Sequence, residues 1–97
     1  MGGKEELEQH LQFITLKVKS FAILKEIVGK EQMTLQLPRK NEGTTVADLR
    51  RRILELYPEI SAKRIPFGIA VNAEMLDDKS VINDFDEIAL LPPISGG

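Results

Sequence analysis

Ninety-seven residues with 13 basic and 15 acidic side chains, net charge −2 and no cysteine make one compact domain and exclude several kinds of protein. A domain this size buries roughly 60–65% of its unfolded surface and has little volume left for a deep catalytic cleft. The charge balance gives no field that would select nucleic acid or an anionic membrane, and without cysteine there is no disulfide, no thiolate metal site and no side-chain sulfur carrier.

The amino end, Met1 to about Gln12, has no consistent apolar face and reads as a flexible arm over residues 1–12. It is polar and acidic, unlike a secretory signal, and no apolar run approaches the ~20 residues that cross a bilayer. The expected compartment is therefore cytoplasmic, with no membrane partner. From Ile14 the chain alternates: Ile14, Leu16 and Val18 on one side, Thr15, Lys17 and Lys19 on the other. A period of two predicts a strand with one wet face. Phe21, Leu24, Ile27 and Val28 then recur at helical spacing, and Gly29 stands where a left-handed residue would close a short helix.

Alternation returns at Met33, Leu35 and Leu37, so a second strand is expected up to Pro38, followed by a polar loop to Gly43. Thr45-Val-Ala-Asp48 has the form of a capping box, with Asp in place of the commoner Glu. The helix it opens is predicted to run to about Tyr57 and to bury Val46, Leu49, Ile53, Leu56 and Tyr57, with Pro58 as its stop. A loop is expected over 59–66, then a short strand at Ile69 and Val71. A tight turn at Asn72-Ala73 leads into another short strand. Val81, Ile82 and Phe85 are expected to plug the core edge from a polar connection, before a last strand over Glu87–Leu91. The order of elements predicts an α+β domain over 13–91, a mixed sheet packed on one main helix.

The remaining charged groups have plain readings. Arg50-Arg51-Arg52, with Lys63 and Arg64, spreads around the helix rather than along it and reads as a solvated face. Asp77-Asp78 and Asp84-Phe-Asp-Glu87 lack calcium-loop spacing and read as turn formers. His10, the only histidine, stands in the arm, so no triad or metal site is expected.

The chain ends Leu91-Pro-Pro-Ile-Ser-Gly-Gly97. Two prolines cannot continue a ladder and stiffen the exit, while two glycines make a slim tip. Residues 92–97 therefore form an extended tail suited to thread a narrow channel and present a free α-carboxylate. Such a carboxylate reacts only after activation, as ATP does by forming an acyl-adenylate. A sulfur nucleophile then yields a thiocarboxylate, or an amine an amide.

Three ordered pieces carry a resemblance: Phe21-Ala22 through Leu24-Lys25-Glu26 to Gly29, Thr45-Val46-x-Asp48-Leu49, and Asp84-x-Asp86-Glu87-Ile88-Ala89-Leu90 with the whole tail. Together they resemble the small-subunit family of molybdopterin synthase, and more loosely the sulfur carrier of the thiamine pathway. The resemblance implies a β-grasp, ubiquitin-like fold. It implies adenylylation of Gly97 by a ubiquitin-activating-like adenylyltransferase that consumes ATP, with no cofactor bound to this chain. Sulfur on Gly97 would pass to precursor Z inside a large catalytic subunit, with Pro92, Pro93, Ile94, Ser95 and Gly96 threaded along the channel and no catalytic residue here. Where the family often has glycine this chain has Ala73 and Phe85, so both turns are expected to take other backbone angles. The same activation chemistry would serve a protein modifier or a carrier for tRNA thiolation, and a plain interaction domain is the third reading.

Overall fold

The computed structural model describes residues 12–92; the arm before Gln12 and the tail from Pro93 onward lie outside them. The first strand, β1, spans Phe13–Ser20 and buries Ile14, Leu16 and Val18 as its alternation requires. Helix α1 (Ala22–Val28) follows and is closed by Gly29 at φ 84°, whose N–H donates to the Lys25 carbonyl. Strand β2 (Gln32–Pro38) returns antiparallel to β1. A two-residue strand β3 (Thr44–Thr45) leads into the main helix α2 (Val46–Leu56).

The capping box at the start of α2 is complete. The Thr45 hydroxyl accepts from the Asp48 N–H at 3.3 Å, and an Asp48 carboxylate oxygen accepts from the Thr45 N–H at 2.9 Å. The Lys40 ammonium sits 2.7 Å from the other oxygen, and together with the Thr45 N–H it holds the Asp48 carboxyl below its ordinary pKa of 3.8. A carboxylate depressed on folding stabilises above its unfolded pKa and loses that contribution as the native group protonates. We expect the Asp48 contribution to be full above about pH 5 and to fall away below pH 3.8. Urea melts of Asp48→Asn should show a smaller loss over that window than the parent chain; parallel acid limbs would remove the linkage.

Pro58 is not merely a stop. It occupies the first turn of a further short helix, α3 (Pro58–Ala62), where the loop was expected. A proline is at home there because the N–H it lacks would have no helical acceptor. Ile60, 1% exposed, anchors α3 in the core. Two of the expected buried positions on α2 also differ: Leu56 is exposed and Tyr57 is half-buried, since the helix ends before that face returns to the sheet.

Strands β4 (Gly68–Val71), β5 (Glu74–Met75), β6 (Val81–Ile82) and β7 (Glu87–Leu91) complete the fold, four short strands rather than three. The main sheet has the order β2-β1-β7-β4-β5, with β1 and β7 parallel at its centre, and β3 pairs with β6 beside it. The inward faces of β1, β2, β4 and β7 share one core with Val46, Leu49 and Ile53 of α2. This is the β-grasp: a mixed sheet curled on one main helix.

Of the three residues expected to plug the core edge, only Ile82 is buried. Phe85 is 60% exposed and Val81 half exposed, because β6 is short and alternates, and Phe85 stands in a turn. The turn angles also depart from expectation. Asn72 and Ala73 have φ 50° and 68°, and Phe85 has φ 64°, the left-handed angles a glycine would take. An L-residue there costs roughly 1–2 kcal/mol, while glycine costs about 0.4–1 kcal/mol in unfolded-chain entropy. Ala73→Gly is therefore expected to stabilise by roughly 0.5–1 kcal/mol, read as a higher urea midpoint with unchanged slope. A lower midpoint would show that the hairpin carries no such strain.

Candidate functional site

Strand β7 is the element that launches the tail. It lies between β1 and β4, in parallel register with Ser20 opposite Leu90 and in antiparallel register with Gly68 opposite Leu91. Leu91 is the last residue of the ladder, and Pro92 follows with no N–H to extend it. Of the sequence-predicted site residues the structure locates Pro92, half-buried just past the end of the centre strand. Pro93, Ile94, Ser95, Gly96 and Gly97 lie outside the described residues.

The register also sets what surrounds Pro92, something the sequence alone did not reveal. Ile88 and Leu90 point into the core, so Ala89 and Leu91 face the outer side of the sheet. On β1, Ser20 points inward and the chain stays extended through Phe21, with φ −129° and ψ 154°. Phe21 therefore falls on the outer face, next to Leu91. It was expected on the buried stripe of α1 but precedes the helix, and it is 40% exposed.

Gly68 and Ala70 face outward on β4, and Met75 on β5, 60% exposed, lies opposite Ala70. A Cβ built on Gly68 would stand 2.6 Å from the Met75 methyl, so the glycine is what lets that side chain lie across the strand. Phe21 and Met75, both exposed, and the half-buried Leu91 and Ala89 thus form one apolar area at the foot of the tail, bordered by Lys17, Lys19 and Glu87, with Ala70 covered at 5% exposure. Clustered apolar exposure of this kind marks a contact surface rather than the scattered exposure of ordinary monomers.

The other charged groups have local duties. Arg50 does more than face solvent: its guanidinium lies 4.8 Å from the Phe67 ring centroid and donates to the Phe67 carbonyl at 2.8 Å and to Asp78. Asp77 accepts from the Lys79 N–H and the Ser80 hydroxyl. Asp84 accepts from the Thr15 N–H at 2.7 Å, and Asp86 from the Asn83 N–H at 2.7 Å. These acids shape turns, in line with their spacing. Among the described residues no three acidic or histidine side chains converge as metal ligands, and no helix is long and apolar enough to cross a membrane.

Known proteins share the fold and much of the sequence. The chain is 39% identical over 83 residues to the molybdopterin synthase sulfur carrier subunit of Dictyostelium discoideum, covering 84% of this chain and 94% of that one. The solution structure of small archaeal modifier protein 1 from Methanosarcina acetivorans superposes with TM-score 0.68 at 25% identity, over 88% of this chain and 98% of the other. A chain in the complex of subunits 1 and 2 of molybdopterin-converting factor from Helicobacter pylori matches with TM-score 0.57 at 26% identity, over 87% and 100%. The resemblance read from the three sequence motifs is thus borne out across most of the chain. Because the model of the ThiS family matches residues 18–97, from the first strand through the final glycine, the chain belongs to the ThiS family.

Proposed function

We propose that this chain is the sulfur-carrying subunit of molybdopterin synthesis, with Gly97 as the atom-bearing terminus. The observation that carries the reading is the continuity of the family match through the last residue, joined to a centre strand that releases the chain at Pro92. An activating adenylyltransferase converts the Gly97 carboxylate to an acyl-adenylate, with pyrophosphate leaving ATP. A sulfur nucleophile then attacks the carbonyl carbon and AMP departs, leaving sulfur in place of one carboxylate oxygen. Pro92 to Gly96 supply a slim lead for the terminus into the active site of a large catalytic subunit, where the sulfur passes to the pterin precursor. The catalytic groups belong to that subunit, and the setting is the cytoplasm.

The apolar area around Leu91 supports docking of such a subunit: the seat lies directly beside the point where the tail departs. Leu91→Glu should weaken binding to the large subunit by roughly 30- to 1,000-fold, since a carboxylate would be buried at a contact centre. Its melting temperature should stay close to the parent's, because Leu91 faces outward. Titration calorimetry measures the first and calorimetric melting the second. Unchanged affinity would move the docking surface elsewhere.

The function itself is tested by giving the thiocarboxylated chain to the large subunit with precursor Z. Loss of about 16 Da from the carrier together with sulfur in the pterin is the expected result. The structural likeness to an archaeal modifier protein favours a second reading, in which Gly97 is joined to lysine amines. Mass ladders of conjugated proteins and no pterin product would select that reading instead.

A further inference from the structure

The two edges of the main sheet are built differently. Strand β5, at one edge, is two residues long and carries Glu74. Strand β2, at the other, runs for seven residues without a charged side chain. Short or charged edges are how folded proteins prevent strand addition, and a long uncharged one leaves it open.

The register says which backbone groups are open. Beyond each end of the ladder, the Ser20 N–H donates to the Glu31 carbonyl at 2.9 Å and the Arg39 N–H to the Gln12 carbonyl at 2.7 Å. Bonded pairs alternate in an antiparallel ladder. Met33, Leu35 and Leu37 therefore direct their N–H and C=O groups to β1, and Gln32, Thr34 and Gln36 direct theirs away from it. Pro38 ends the open run: it has no N–H, and its carbonyl accepts from the Thr44 hydroxyl at 2.8 Å. Three donors and three acceptors at every second residue are the template for one added strand of about five residues.

A groove of about 360 Å³ lies beside this edge, between Gln36, Leu37 and Pro38 of β2 and Arg51, Arg52 and Glu55 of α2. Its charge is lopsided. Lys40 and Arg51 share one Asp48 oxygen, at 2.7 and 3.5 Å, and Arg52 pairs with Glu55 at 3.3 Å. Three cations thus face two carboxylates, on a chain whose net charge is −2. The guanidinium forks keep donors to spare, so the occupant they complement is acidic.

We propose that the β2 edge and this groove form a second binding site, which takes an extended acidic segment of a partner protein by strand addition. Apolar side chains at alternate positions enter the groove, and flanking carboxylates meet Arg51 and Arg52. Two strands separate this edge from β4 and one separates it from β7, so the site can be filled while the tail is engaged elsewhere.

The test uses the full ¹⁵N-labelled chain and a synthetic capped peptide of three valines alternating with threonines and flanked by glutamates. Binding should slow amide exchange at Gln32, Thr34 and Gln36 by at least about tenfold, with Met33, Leu35 and Leu37 unchanged because β1 already holds them. Lysines in place of the glutamates, or Arg51→Glu with Arg52→Glu, should weaken binding at least about tenfold. The peptide swap keeps the test valid if the double variant fails to fold. No binding at about 1 mM peptide, indifference to the glutamates, or protection centred on Ala89 and Met75 would overturn the proposal. So would concentration-dependent protection without peptide, which would make a second copy the occupant. Binding seen only after removal of residues 1–11 would overturn it too, in favour of this chain's own acidic arm.

Discussion

Deleting Gly97 is expected to abolish sulfur loading and leave the fold untouched. Six residues follow the last ladder residue, Leu91, and at full extension they reach at most about 20 Å. Removing one of them withdraws the carboxylate by about 3.5 Å. A reacting group misplaced by about 1 Å already costs on the order of 100-fold, so transfer should fall by more than about 1,000-fold even though Gly96 then offers a carboxylate of its own. No described core residue is changed, and the melting temperature should move by less than about 1 °C. The measurement is intact mass after incubation with the activating enzyme, ATP and a sulfur donor. The full chain should gain about 16 Da, one oxygen exchanged for sulfur, and the shortened chain nothing. Equal gains in both, or none in the full chain with a competent enzyme, would remove Gly97 from the mechanism.

The parts of the fold that were legible are those where one local rule sufficed. The alternation at Ile14, Leu16 and Val18, the glycine after Val28 and the Thr45–Asp48 capping box each carry their signal within a few residues, and the structure realises all three. Pro58 does end the main helix, but the loop expected after it begins as another helix, because a proline that stops one helix can equally be the first residue of the next. Phe21 kept helical spacing with Leu24 but lay one residue before the helix, where the strand's alternation still decides its direction. The two-residue pairing of Thr44–Thr45 with Val81–Ile82 is too short to show any period. Ala73 and Phe85 show a further limit: neighbouring bonds, such as the Asn72 side chain accepting from the Glu87 N–H at 2.9 Å, hold a turn in glycine-like angles without glycine. Of the candidate site, the tail is proposed from consecutive residues alone, and only Pro92 of it falls among the described residues. The apolar area beside Pro92 was not legible, since Phe21, Leu91 and Met75 come to one face only through the register of four strands.

Leu90→Ala should produce the reverse of the tail deletion. Leu90 is fully buried, two residues before the tail, and pairs with Ser20 on one side and Ile69 on the other. Its side chain belongs to the core shared with Leu16, Val18, Leu24 and Ile60, so truncation removes buried methyl groups at the centre of the sheet rather than at a margin that can collapse. Substitutions of this kind cost about 2–5 kcal/mol. Taking roughly 3 kcal/mol, the melting temperature should fall by about 12–24 °C in a domain of this size. Urea unfolding should show a lower midpoint at unchanged slope, because the surface exposed on unfolding is nearly the same. The tail itself is untouched, so the mass gain per folded molecule should match the parent's at a temperature where both are folded. A variant that keeps its stability would place Leu90 outside the cooperative core. One that stays folded yet cannot be loaded would mean that the activating enzyme reads the packing of β7 as well as the terminus, and that strand and tail act as a single recognition element.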